Sequence, residues 1–274
     1  MKYIQINLTL FKIIIISIEI LLSIFSLQAQ NEKETKYLNK TTSIEQRWEL
    51  DNDNKKGLFL ISAYRPVYIS PAKWTNNPNE QPTSENPINT LPYKIKYNNY
   101  ECKFQLSLKT KIARNLFWKH GDIWGTYTQV TNWQLYNAKL SRTIREVTYE
   151  PEIILNFATT YKLLSFNGKM IGIVFNHQSN GKQLPLSRGW NRIILQAAFE
   201  KNNWKLFLRP SYKLKNVTDG NPKIANYVGG TETIVVYNFR KQQLSAVMAH
   251  SINFKNGGRG NIQFNWVLPV HNNF

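Results

Sequence analysis

Residues 100–109, YECKFQLSLK, alternate strictly: Tyr100, Cys102, Phe104, Leu106 and Leu108 are apolar, while Glu101, Lys103, Gln105, Ser107 and Lys109 are polar. A period of two, not 3.6, places each set on its own face of an extended strand, because successive side chains point to opposite sides. The same rhythm returns at Leu244, Ala246, Met248, His250, Ile252 and Phe254, and at Ile262, Phe264, Trp266 and Leu268 against Asn261, Gln263 and Asn265. About ten such segments follow one another, near 57–68, 100–112, 121–136, 148–161, 168–179, 190–200, 204–213, 231–240, 243–254 and 259–268. The fold class this predicts is all-β and antiparallel.

The length of the segments narrows the choice. Most suit a tilted strand of roughly 9–11 residues crossing a bilayer better than the roughly 5–6 of an ordinary globular strand. Connections after the first, third, fifth and seventh segments are long and polar (69–99, 137–147, 180–189 and 214–230), whereas 201–203 and 241–242 are very short. Long loops at one end and tight turns at the other characterise a transmembrane β-barrel. Trp124, Trp133, Trp190, Trp204 and Trp266 lie near segment ends, where a girdle of aromatic residues is expected. The competing architecture is a soluble lipocalin-like barrel or sandwich, whose apolar face points inward.

Residues 1–29 carry Lys2 and Lys12, a mostly apolar run from Ile13 to Leu27 and a small residue at Ala29, the pattern of a cleaved signal peptide. Export follows, with residues 30–56 as a periplasmic N-terminal segment and 57–274 as the barrel domain. Cys102 is the only cysteine, so no disulfide framework supports the exported chain. The formal charge of the whole chain is +18, which favours polyanionic surroundings. The chain carries no nucleic-acid motif and no glycine-rich phosphate loop, so the phosphate-rich face of a membrane is the expected partner and nucleic acid is not.

One polar stretch interrupts this pattern, NHQSNGKQLPLSRGWNR from Asn176 to Arg192, between the alternating runs MIGIVF and IILQAAF. Alternation puts His177 and Ser179 on one face with Ile171, Ile173 and Phe175, and puts Asn191 on a face with Ile193, Leu195, Ala197 and Phe199. A hairpin between the two strands brings Asn191 beside His177 and Ser179 on the lipid-directed side. These residue types suit acyl transfer: serine as nucleophile, histidine as the base that takes its proton, and a third polar group to orient the imidazole. Backbone N–H groups around Ser179–Gly181 offer an oxyanion site. Against this stands a purely structural account, with polar strand ends, a turn at Asn180–Gly181 and Trp190 as a girdle residue.

The same stretch resembles the active-site segment of the outer-membrane phospholipase A family, His-x-Ser-Asn-Gly followed by Ser-Arg-x-Trp-Asn-Arg. KFQLSLK, YTQVTNWQLYN, REVTYEPEI, NVTDGNPKI and NGGRGNIQFNWVLPV fall in the family's order and approximate spacing. The resemblance implies a twelve-stranded outer-membrane barrel that hydrolyses phospholipid acyl esters, with A1, A2 and lysophospholipase activity, as a calcium-dependent homodimer joined through the barrel wall. Carried over by position, Ser179 is the nucleophile, His177 the base and Asn191 its orienting partner, with the Ser179 and Gly181 amides as oxyanion donors. The implied Ca2+ ligands are the Ser187 side chain and the Lys182 backbone carbonyl from one subunit and Ser141 from the other. A further calcium site in the family would use Asp219, but Leu184 stands where its aspartate partner is found. The resemblance also places the active site at the outer leaflet among lipopolysaccharide, and it leaves the chain about two strands short of twelve at its C-terminus. The alternative functions are a non-catalytic outer-membrane barrel and an inactive, shortened homologue.

Overall fold

A computed structural model of the chain describes residues 42–215, 220–251 and 259–268. Residues 1–41 lie outside the described residues, and with them the expected signal segment and the start of the 30–56 segment. The described unit begins at Thr42.

That unit is an antiparallel β-sheet with one short helix packed on its inner face. The helix, α1, is Ile44–Trp48. The strands are β1 (Ser62–Ala63), β2 (Tyr68–Trp74), β3 (Tyr100–Asn115), β4 (Gly121–Trp133), β5 (Ile144–Ala158), β6 (Lys162–Leu163), β7 (Phe166–Ser179), β8 (Gly189–Lys201), β9 (Trp204–Leu214), β10 (Thr231–Phe239), β11 (Gln242–His250) and β12 (Gly260–Val267). Neighbours along the sheet run β1-β3-β4-β5-β7-β8-β9-β10-β11-β12, with β2 also on β3 and β6 on β7. The expected segments are all present. The first is split in two: β1 meets Leu108 and Lys109 of β3, β2 meets Tyr100–Gln105, and the chain breaks between them around Pro66, which has no N–H for the ladder. The strand therefore runs on to Trp74 rather than ending at 68.

The sheet is inverted relative to a soluble barrel. Along β7, Met170, Gly172, Val174 and Asn176 are buried, while Ile171, Ile173, Phe175 and His177 are exposed. In β3 the polar Ser107, Lys109 and Lys111 are buried and the apolar Leu106 and Ile112 exposed. An apolar outer band over a polar interior is the arrangement of a membrane-embedded barrel, not of a lipocalin. Buried cations and carboxylates compensate each other inside: Arg209 bonds Glu152 at 2.6 Å and Glu232 at 3.3 Å, and Lys111 bonds Asp122 at 2.6 Å and Glu49 at 3.1 Å. Such pairing is what allows charges to stay buried, since an isolated one would carry a desolvation cost of several kcal/mol.

α1 precedes residue 57, where the barrel domain is expected to begin, yet it belongs to the same unit as the sheet and packs inside it. Ser43 caps the helix through a reciprocal capping box with Gln46. Ile44 and Trp48 then join Trp124, Ile154, Met170, Val174, Ile194 and Ala198 in an apolar core. The Trp48 and Trp124 rings meet edge-on at 5.5 Å, and the Lys109 ammonium sits 4.3 Å and 4.1 Å from their centroids. The Ile44 N–H donates to Glu200 at 3.1 Å and Lys169 pairs with Glu45 at 2.6 Å, fixing the helix toward the short-turn end of β7 and β8. This corrects two of the expected girdle residues. Trp124 and Trp190 are 1% and 2% exposed and point inward, whereas Trp204 and Trp266 are on the outside.

The sheet of described residues is an open half-barrel: β12 pairs with β11, and the opposite margin is β1 and β2 on β3. It has twelve strands but ten positions across, since β2 and β6 share neighbours with β1 and β5.

Candidate active site

The β7–β8 hairpin sets the geometry. Its ladder pairs Phe175 with Ile193, Asn176 with Arg192, His177 with Asn191, Gln178 with Trp190 and Ser179 with Gly189. His177 and Asn191 are thus directly opposed on the outer face, and His177 Nδ1 lies 2.7 Å from Asn191 Oδ1. An amide oxygen only accepts, so the imidazole proton resides on Nδ1 and the lone pair on Nε2. Ser179 follows two residues later on the same face, one strand repeat of roughly 6.6 Å along the chain. The structure therefore brings His177, Ser179 and Asn191 onto one outward surface just beyond the apolar band of Ile171, Ile173 and Phe175.

The inner face of the same hairpin holds a network that sequence reasoning did not single out. The Asn176 amide donates to Glu150 at 2.9 Å and Glu152 at 3.0 Å, and its oxygen accepts from Arg192 Nε at 2.9 Å. Arg192 also pairs with Glu150 at 3.1 Å and lies over the Trp190 ring at 4.2 Å, while Trp190 Nε1 donates to Gln178 at 2.8 Å. These contacts tie β5, β7 and β8 together directly behind the His177–Asn191 pair. The signal was present in the alternation, which puts Asn176, Gln178, Trp190 and Arg192 on the inward face.

The loop 180–188 is rigidly built. The Asn180 side chain is 7% exposed; its oxygen accepts from the N–H groups of Arg188 at 2.9 Å and Lys182 at 3.3 Å, and its amide donates to the Leu186 carbonyl at 2.8 Å. Gly181 has φ +62°, and a Cβ there would stand 2.8 Å from Tyr149 Cε2, so only glycine fits. Its N–H donates to no protein group among the described residues, consistent with a donor kept for a ligand. Arg188 ties the loop to the long 75–99 connection: its guanidinium donates to the Ser187, Pro185 and Asn89 carbonyls at 2.8, 3.0 and 2.5 Å, and Asn89, 3% exposed, donates back to the Ser187 carbonyl at 2.7 Å. Burial pushes the Arg188 guanidinium down from its ordinary value, only partly offset by Glu146.

Lys182 and Ser187 share this loop. Among the described residues no donor takes the Lys182 carbonyl or the Ser187 hydroxyl, leaving two hard oxygen atoms unclaimed. The Lys182 ammonium is used elsewhere, on the Arg145 carbonyl and on Glu146 at 3.5 Å. Ser141 caps a short 3-10 turn at 138–140 with φ 50°, is exposed, and makes no hydrogen bond to the 180–188 loop among the described residues. Asp219 lies outside the described residues. No group of three or more His, Cys, Asp or Glu side chains suited to a metal occurs among the described residues, so any cation here would rely on hydroxyl, carbonyl and water oxygens.

A groove of about 600 Å³ runs across the outer face from Ile61 through Tyr127, Ile153 and Phe175 to His177 and Asn191. Its lining is overwhelmingly apolar. Gly125 lines it too, where a Cβ would come within 2.9 Å of Ile112 Cδ1. The arrangement can hold an aliphatic chain against the sheet with a polar head beside His177 and Ser179.

The chain is similar to known proteins over most of its length. It is 33% identical over 208 residues to phospholipase A1 of Klebsiella pneumoniae, covering 76% of this chain and 69% of the relative. The chain spans 54% to 69% of the length of the first curated relatives that it matches. The Salmonella typhi outer membrane phospholipase (OMPLA), solved as a dimer with bound calcium, superimposes with a TM-score of 0.67 at 29% identity, covering 79% of this chain and 81% of that one. An active-site mutant of Escherichia coli outer membrane phospholipase A, with an asparagine changed to alanine, gives a TM-score of 0.67 at 28% identity over 79% and 80%. The family model described as Phospholipase A1 matches residues 44–274, which take in the whole sheet and the His177–Ser179–Asn191 surface, and the chain belongs to that family.

Proposed function

We propose that the chain hydrolyses acyl esters of phospholipids at the outer leaflet of an outer membrane, with Ser179 as nucleophile, and that it does so as a calcium-dependent homodimer. The observation that carries this is the 2.7 Å contact between His177 Nδ1 and Asn191 Oδ1 on a lipid-facing surface, with Ser179 on the same face. Polar groups are costly in such a position and persist where function requires them. The asparagine in the active site of the Escherichia coli relative supports the role given to Asn191.

In this mechanism His177 Nε2 takes the proton of Ser179 Oγ as that oxygen attacks the ester carbonyl carbon. Asn191 holds the Nδ1–H tautomer, and its neutral amide steadies the imidazolium by hydrogen bonding rather than by charge. The Ser179 and Gly181 N–H groups face the developing oxyanion. His177 then returns the proton to the leaving alcohol oxygen of the lysophospholipid, and water cleaves the acyl-serine by the same proton relay. The fatty acid leaves, and Ser179 regains its proton. Both A1 and A2 positions and lysophospholipids fall within this proposal, since the same acyl-ester chemistry serves each.

Calcium fits the loop beside the nucleophile. The Ser187 hydroxyl, the Lys182 carbonyl and Ser141 of the partner subunit would hold it, with water completing the six to eight oxygens that the ion takes. When bound, it supplies positive charge beside the oxyanion. A contribution from Asp219 to a second ion is not supported, because Leu184 offers no side-chain oxygen. The cationic loops suit anionic headgroups and lipopolysaccharide phosphates.

The test is covalent. A long-chain sulfonyl fluoride should modify Ser179 in the calcium-loaded protein, localised by peptide mass spectrometry, and chelation should abolish the modification. Absence of labelling at Ser179 in folded, calcium-loaded protein would reject the assignment.

A further inference from the structure

Beside the calcium-binding loop lies a second cavity that the hydrolytic mechanism leaves unused. Its volume is about 240 Å³, and it is lined by Thr83, Tyr97, Arg145, Glu146, Lys182 and Arg188, with Leu186 on its apolar side. Three elements meet there: the 75–99 connection, the start of β5 and the 180–188 loop. The cavity is cationic. Arg145 and Lys73 share Glu101 at 2.7 Å each, Lys182 has Glu146 at 3.5 Å, and Arg188 has no carboxylate within 4.0 Å among the described residues. Among the lining residues three cations, Arg145, Lys182 and Arg188, thus stand against one carboxylate, Glu146.

The donors left over point to the ligand. Arg145 spends Nε and Nη2 on Glu101, at 2.7 and 2.8 Å, which leaves the two hydrogens of Nη1. Arg188 spends Nη1 and Nη2 on three carbonyls and retains Nε. An arginine fork with free N–H groups beside an ammonium matches a tetrahedral phosphoryl group, which accepts several charge-assisted hydrogen bonds at once.

We propose that this cavity binds a phosphate ester carried by a lipid, separately from the hydrolytic groove, and thereby anchors the 180–188 loop at the membrane surface. The lipid source follows from the cavity's place at the long-loop end of the sheet, with Leu186 lining it and Leu184 60% exposed in the same loop. The inference rests on the membrane-surface reading of the function. Its test is a binding measurement without turnover, so that its failure is distinct from a failure of hydrolysis, which is followed independently by fatty-acid release.

The refolded full chain in maltoside micelles with EDTA is titrated calorimetrically with dioctanoyl phosphatidic acid, with dioctanoylglycerol and with inorganic phosphate. Saturable binding is expected for the phosphatidic acid alone. The double variant Arg145→Gln/Lys182→Gln should weaken it at least tenfold. Thr83→Glu, an exposed change that leaves every existing ion pair in place, should do the same, which guards against a variant that misfolds. Equal binding of dioctanoylglycerol, or no effect of Thr83→Glu, would overturn the proposal. Equal affinity for inorganic phosphate would assign the cavity to the free ion and overturn the lipid ligand.

Discussion

Arg192 Nε donates to Asn176 Oδ1 at 2.9 Å on the inner face of the β7–β8 hairpin, one register step from the outer pair of His177 and Asn191. The two pairs occupy opposite faces of one ladder, so the buried polar network sets the spacing of the exposed one. Arg192→Met removes one partner of Asn176 and of Glu150, leaving Glu150 with the longer Arg65 contact at 3.5 Å and the Asn176 amide at 2.9 Å. We expect a loss of about 2 kcal/mol in denaturant unfolding in detergent, the scale of a lost hydrogen bond to a charged group, with a fall in kcat at unchanged KM in whatever protein remains folded. Unaltered stability and kcat would show that the inner network does not support the site.

In the proposed mechanism Asn191 orients rather than reacts. Asn191→Ala should leave KM for phospholipid nearly unchanged and lower kcat by roughly a hundredfold or more, as loss of an orienting group does in catalytic triads. Asn191→Asp, which keeps the acceptor facing Nδ1, should retain much of the rate. Steady-state fatty-acid release distinguishes the two variants.

Only glycine fits position 181. Gly181→Ala meets both the strain of φ +62° and contact with the Tyr149 ring. The strain alone costs about 1 kcal/mol, but the larger effect should be on kcat, through displacement of the 181 amide. A crystal structure or fatty-acid assay of the variant showing an unmoved loop and full rate would exclude the oxyanion role.

The alternation identified the strands, the outward face of His177, Ser179 and Asn191, and their meeting across a hairpin, because a two-residue period fixes which side chains share a surface. What it left out depends on contacts far apart in sequence. Asn89 is 98 residues from Ser187 and nothing local marks it as the residue that clamps that carbonyl. Ile44 and Trp48 precede the first strand and carry no period-two signal, so their place inside the barrel follows only from packing against Trp124. The inward turn of Trp190 was legible from the alternation itself, but the general enrichment of tryptophan at membrane boundaries argued the other way.

Asn89 offers a separable effect. Asn89→Ala removes one hydrogen bond to the Ser187 carbonyl, worth about 1 kcal/mol. The calcium concentration giving half-maximal fatty-acid release should rise about fivefold, with the maximal rate reached at saturating calcium unchanged. A fall in the maximal rate instead would place Asn89 in support of the nucleophile and not of the proposed calcium ligands of the 180–188 loop.

Trp48 tests the interior helix. Trp48→Ala opens a cavity beside Trp124 and Ile44 and should lower stability by about 3–5 kcal/mol, read as a shift of the denaturant midpoint in detergent. An unchanged midpoint would mean that α1 contributes nothing to the folded barrel.

The most direct measurement is calcium-dependent fatty-acid release from phospholipid by Ser179→Ala beside the unaltered chain, both refolded and matched by electrophoretic mobility without heating. The account predicts release by the unaltered chain that requires calcium, and none above background from Ser179→Ala. Equal release from both proteins would contradict it.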